Sequence, residues 1–257
     1  MEFIIWVVHF TMGIFLSIVT IFLPMENLES RTITVFCSQV VANVLCVWLF
    51  RKYLDIKGIQ KKLPVKEGLL FVFIGIGLCW GHRIFFLLFP EIGLDLYKQM
   101  GVEWIINTSR LMYTSVPVII YTTVLAPLTE EILIRNVCLN AALRKGHKGY
   151  AIFITAFLFA ISHRNAVQFL SAFIMGLLIG YLVLLTKDFR AAVLIHMANN
   201  TWSVLQGYFM MDIYEENLQT IDSFALIYGL PILGILILGC STGRICYIYK
   251  RKRNCRF

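Results

Sequence analysis

The sequence predicts an all-α, polytopic membrane protein of about eight transmembrane helices, forming a single domain over 1–257. Three observations carry that expectation. Of the 257 residues 59% are apolar and 15% charged, against about 45–50% and about 25% in soluble domains. Mean hydropathy agrees at +0.76, so the chain is too apolar for a surface wetted all round, and for disorder. The apolar residues also gather into runs of near-spanning length, and the basic residues alternate in density between the loops that join them.

A helix needs about 20 mostly apolar residues to cross the hydrocarbon layer. The runs are 3–23, 33–50, 68–89, 111–128, 150–162, 167–186, 191–209 and 223–247. The first ends at Pro24 with no small-residue cleavage site, which reads as a span and not as a removable leader. The fourth is expected to continue as helix through Arg144, with Pro117 and Pro127 as kinks. The fifth is short.

With both termini inside, 17 of the 23 basic residues fall in inner segments. Only Arg31, Lys98, Arg110 and Arg164 fall outside, and Arg83 and Arg135 lie within spans. Cytoplasmic loops carry such an excess, so both ends are expected in the cytoplasm of a multi-pass cell-membrane protein. The net charge of +8 is explained by that retention, and no nucleic-acid partner is expected. The seven cysteines include no CxxC pair and sit mostly in apolar runs, where small buried hydrophobes are the expectation. The basic tail after Tyr249 reads as an orientation signal, with contact to anionic lipid as the alternative. Cys255 stands third from the end, whereas a prenylation box needs it fourth, so the chain is not expected to be a CaaX substrate itself.

Charge inside a bilayer costs at least about 2.5–3.5 kcal/mol per group at the centre and marks function by default. In Thr129-Glu130-Glu131-Ile132-Leu133-Ile134-Arg135, Glu131 and Arg135 are spaced i,i+4 in the favourable order for an ion pair. Glu130 sits about 100° round the helix, so one glutamate is structural and the other remains for chemistry; a helix end emerging into water is the alternative. His163 closes the fifth run after Phe159-Ala160-Ile161-Ser162, where an interfacial histidine is the plain reading. His196 and Asn200, also i,i+4, share one polar face of an apolar helix, and interhelical hydrogen bonding would explain them equally.

Depth favours a constellation. Glu130 lies 13 residues before Leu143 and His163 13 residues after Tyr150, so each stands about 20 Å from the inner face at about 1.5 Å per residue. A carboxylate and an imidazole meeting in a dry cavity can hold and deprotonate water, and a second imidazole with an amide can donate to an oxyanion. Neither GxSxG nor HExxH is present, so serine and conventional zinc proteases lack their motifs. The Gly81-His82-Arg83 stretch could bind a carboxylate or a lipid head group, though snorkelling explains it too. His9 and Asn43 are read as buried or snorkelling, and His147 as an ordinary loop residue.

Glu130-Glu131-x-x-x-Arg135, Phe159-x-x-x-His163 and His196-x-x-x-Asn200, in that order, resemble the CAAX protease and bacteriocin-processing family. This family is also called Abi and includes the Ras-converting CAAX prenyl proteases. The resemblance covers roughly 111–209. It implies an active site in a conical intramembrane cavity, with Glu130 and His163 activating water and His196 and Asn200 stabilising the oxyanion. Glu131 and Arg135 would be the structural pair. Glu130, His163 and His196 could in principle ligate zinc, but the resemblance points to a metal-independent glutamate protease, so no cofactor is expected. It also implies action on a membrane-associated or lipidated peptide or protein; the small size and minimal loops look bacterial, where members of the family process peptide pheromones or bacteriocins or confer immunity to them. A non-proteolytic scaffold or immunity protein of the same fold is the alternative; a proton pathway or transporter ranks last, since no repeats are visible.

Overall fold

A computed structural model describes residues 2–21, 27–54, 62–81, 84, 88, 110–144, 146–163, 166–216 and 229–254. His82 and Arg83 lie outside the described residues. Every regular element among those described is helical. The long helices are α1 (Glu2–Ile21), α2 (Leu28–Leu49), α3 (Val65–Gly81), α4 (Val116–Leu143), α5 (Lys148–Ser162), α6 (Ala166–Thr186), α7 (Arg190–Glu216) and α8 (Leu230–Asn254).

Among the described residues, four stretches are long and apolar enough to cross a membrane: Leu28–Leu49, Val116–Leu143, Gln168–Thr186 and Leu230–Lys252. Ile4–Phe15 and Lys148–Ser162 are shorter apolar helices. The described residues are therefore those of a helical membrane protein, and the described part of each expected run is helical. α7 illustrates why a real helix can miss the apolar criterion. Its 27 residues include His196, Asn199, Asn200, Gln206, Asp212, Glu215 and Glu216.

Local chemistry sets the helix ends. Asn27 caps α2 by accepting the Ser30 amide at 2.8 Å, so the helix begins before the apolar run at 33. Arg144 caps α4, and Gly146, at φ 100°, supplies the left-handed turn that leads into α5. Asp188 accepts the Arg190 amide at 3.0 Å and its Nη2 at 2.6 Å, starting α7. Pro117 corrects an expectation. It stands in the first turn of α4, where a missing N–H costs nothing, and so begins the helix without kinking it.

The chain forms two compact units, Met1–Lys61 with Ser115–Val193, and Lys62–Thr114 with Leu194–Phe257. In the first, α4 and α5 supply the core through Leu133, Ile134, Val137, Leu139, Ala156 and Phe159, all 3% exposed or less. α1 joins α5 through Trp6 Nε1, which donates to Leu158 O at 3.0 Å and Ser162 Oγ at 2.9 Å. Small residues let α5 and α6 approach closely: a Cβ on Gly176 would stand 2.9 Å from that of Ala156. In the second unit α3 and α8 pack through Gly77 and Gly234, and a Cβ on Gly77 would lie 2.8 Å from Gly234 O. Glu67, buried at the start of α3, accepts the Tyr249 hydroxyl at 2.6 Å and pairs with Lys252 of α8.

Candidate active site

α4 is not a uniform α-helix. Tyr121–Leu125 and Ile132–Cys138 are π-helical, and they bracket the six-residue α stretch Ala126–Glu131. The Ala126 amide bonds to Tyr121 O and the Leu139 amide to Ile134 O, each five residues back. Pro127 accounts for the first widening. It has no N–H for Thr123 O, and the wide turn before it relieves the ring's clash. Such turns concentrate at functional sites, and this pair frames Glu130 and Glu131.

The two glutamates have different surroundings. Glu131 Oε2 accepts Arg135 Nε at 2.8 Å, with both side chains 0% exposed. The pairing expected from i,i+4 spacing is therefore present. The Arg135 guanidinium also lies over the Phe159 ring, 5.4 Å from its centroid. Its terminal nitrogens have no hydrogen-bond acceptor among the described residues, so Glu131 and the aromatic face carry the compensation for its charge. Glu130 is half-buried on the same short stretch.

His163 ends α5, its amide bonding back to Ala160 O at 3.2 Å. Its Nδ1 lies 2.9 Å from Phe159 O. A carbonyl only accepts, so Nδ1 carries the hydrogen, and in the neutral ring Nε2 keeps its lone pair for a proton. The Phe159 ring stands edge-on to the imidazole at 4.8 Å and 83°. Phe159 thus touches Arg135 on one side and orients His163 on the other, which gives the aromatic position of the second motif a physical role. Phe159→Leu should keep most of the burial and the backbone carbonyl that holds His163 Nδ1, and cost about 1–1.5 kcal/mol; a melting curve checks it.

His196 and Asn200 share a face of α7, within the second compact unit; His196 is 3% exposed and Asn200 half-buried. Asn199 Nδ2 donates to Asn200 Oδ1 at 3.1 Å. That contact orients the Asn200 side-chain amide on α7. Gly75 of α3 packs against the Ile195 carbonyl and the Asn199 amide, the turn carrying His196.

Sequence reasoning set aside one polar cluster. His9 Nε2 lies 2.6 Å from Asn43 Oδ1, and Asn43 Nδ2 donates to Thr129 Oγ1 at 2.9 Å. His9 is 7% and Asn43 1% exposed. A chain of polar contacts thus runs from α1 through α2 to the residue before Glu130. A lone polar residue in each of two apolar runs was the signal available, and it is ambiguous by itself. No three His, Cys, Asp or Glu side chains group as metal ligands among the described residues.

Residues 112–202 match the family described as Type II CAAX prenyl endopeptidase Rce1-like. The match takes in all three motifs. Over this segment, about a third of the chain, the sequence is similar to that family. No curated protein and no solved structure matches it. In this Rce1-like segment α4 contributes the paired glutamates and Arg135, α5 contributes Phe159 and His163, and the start of α7 contributes His196 and Asn200.

Proposed function

We propose that the protein is an intramembrane, glutamate-type endopeptidase that cuts a membrane-associated or lipidated peptide or protein near the cytoplasmic side. The observation that carries this reading is the tautomer of His163. Its Nδ1–H is held by Phe159 O at 2.9 Å, which leaves Nε2 to act as a base. The commitment of Glu131 to Arg135 supports Glu130 as the carboxylate used in chemistry.

In this mechanism Glu130 and His163 take a proton from water as its oxygen attacks the scissile carbonyl. The C–O bond forms and the carbonyl becomes an oxyanion, which accepts hydrogen bonds from His196 and Asn200. The C–N bond then breaks and the leaving amine takes up the proton. The same reading places eight spans around a conical cavity, both termini in the cytoplasm, and the protein in a bacterial cell membrane. Peptide pheromone or bacteriocin processing, or immunity, would be its setting.

Comparative peptidomics of membranes from cells carrying wild type or Glu130→Gln at matched expression tests the proposal. A precursor that accumulates uncut only with the variant supports proteolysis and identifies the substrate. A folded variant with the phenotype and peptide set unchanged favours the second reading, a non-proteolytic scaffold or immunity protein. That reading requires the motif residues to be replaceable.

A further inference from the structure

His9, Asn43 and Thr129 are used by no step above, yet they join α1, α2 and α4 through buried polar contacts. Their hydrogens can be assigned from one end of the chain. Thr129 Oγ1 lies 2.8 Å from Leu125 O, and a carbonyl only accepts, so the hydroxyl hydrogen points there. The hydroxyl lone pairs then receive Asn43 Nδ2–H at 2.9 Å. This turns Asn43 Oδ1 to His9 Nε2 at 2.6 Å, and that ring nitrogen carries the hydrogen. The Gln39 side-chain amide nitrogen donates to the same Asn43 oxygen at 3.4 Å.

The anchored residue immediately precedes Glu130, inside the six-residue stretch between the two π segments. Where the wide turns fall decides how this stretch is rotated, because one residue of register slip turns a side chain by about 100°. A hydrogen bond from a neighbouring helix to Thr129 fixes that register at the position where rotation matters. We infer that His9, Asn43 and Thr129 are positioning residues that set the rotation of the Glu130 turn for hydrolysis, an inference that rests on the proteolytic reading above.

The full-length protein in its own membrane provides the test. The readout is the ratio of uncut to cut precursor, normalised to folded protein, with Glu130→Gln as the reference for lost catalysis. Thr129→Val removes the acceptor at constant shape, Asn43→Leu removes the link, and His9→Leu removes the donor. Each should raise the ratio tenfold or more, since displacement of a reacting group by about 1 Å costs up to about a hundredfold. Thr129→Ser and His9→Gln, which keep a hydroxyl and a side-chain N–H in place, should return it to the wild-type value. The uncleaved precursor should co-purify with Thr129→Val as well as with Glu130→Gln, because binding is retained while turnover is lost. Wild-type cleavage by Thr129→Val and Asn43→Leu alongside an inactive Glu130→Gln overturns the inference and leaves the protease reading standing. So does a loss that disappears on normalising to folded protein, or that Thr129→Ser fails to restore. Wild-type cleavage by Glu130→Gln removes the protease reading and this inference with it.

Discussion

Glu131→Gln and Glu130→Gln should fail in opposite ways: the first loses the folded protein, the second only the cleavage. Glu131 and Arg135 are both 0% exposed and 2.8 Å apart. Neutralising the carboxylate leaves a guanidinium buried beside Phe159 with no anion from Glu131, which costs about 3–5 kcal/mol. Total stabilities of about 5–15 kcal/mol leave little after such a loss. Replacing both partners by apolar residues, Glu131→Leu with Arg135→Met, removes the stranded charge and should recover much of the melting temperature. Glu130→Gln is nearly isosteric at a half-buried position and should melt close to wild type. If Glu130 serves as the base, its cleavage rate should fall by about 10²–10⁴-fold. Melting curves in detergent beside precursor cleavage separate the two outcomes. A folded, inactive Glu131→Gln with an unfolded Glu130→Gln would exchange the two assignments.

What was legible in the sequence follows physical rules of short range. The Glu131–Arg135 pair was readable because helical spacing alone brings i and i+4 together, and a π turn of slightly larger pitch still permits it. The continuation of α4 to Leu143 was readable because no Gly or Pro interrupts 128–144. The π segments were not, since both are read from the same apolar pattern as an ordinary helix, and Pro127 hints at only one of them. Nor was the His9–Asn43–Thr129 chain, whose links span 34 and 86 positions. A histidine or asparagine alone in an apolar run has the same local sequence whether it bonds across helices or snorkels to the surface. Pro117 was misjudged for a related reason: proline strains a helix interior but suits its first turn, and the apolar pattern does not mark the helix start at Ser115. One feature there is the Ser115 hydroxyl bonded to Glu29 Oε1 of α2 at 2.5 Å.

Glycines of the second unit carry the other large effect, and sequence alone treats them alike. Gly75→Ala should destabilise by about 1–3 kcal/mol or more, whereas Gly239→Ala should be neutral or stabilising by up to about 1 kcal/mol. A Cβ on Gly75 would lie against the Ile195 carbonyl, 2.7 Å from Ala198 Cβ and 2.9 Å from the Asn199 amide nitrogen. Two of those neighbours are backbone of α7, so no rotamer change relieves the overlap, and α3 or α7 must move. Gly239 of α8 has nothing within 4 Å of the added carbon, so alanine there brings only its better helix propensity. The displaced turn of α7 carries His196 and leads to Asn200, so Gly75→Ala should also reduce cleavage beyond what its lowered folded fraction explains. That excess is the informative quantity. Thermal midpoints of the two variants should move apart, with activity per folded molecule lowered in Gly75→Ala alone. A Gly75→Ala protein as stable and active as wild type would mean that α3 does not press on the His196 turn as the structure has it.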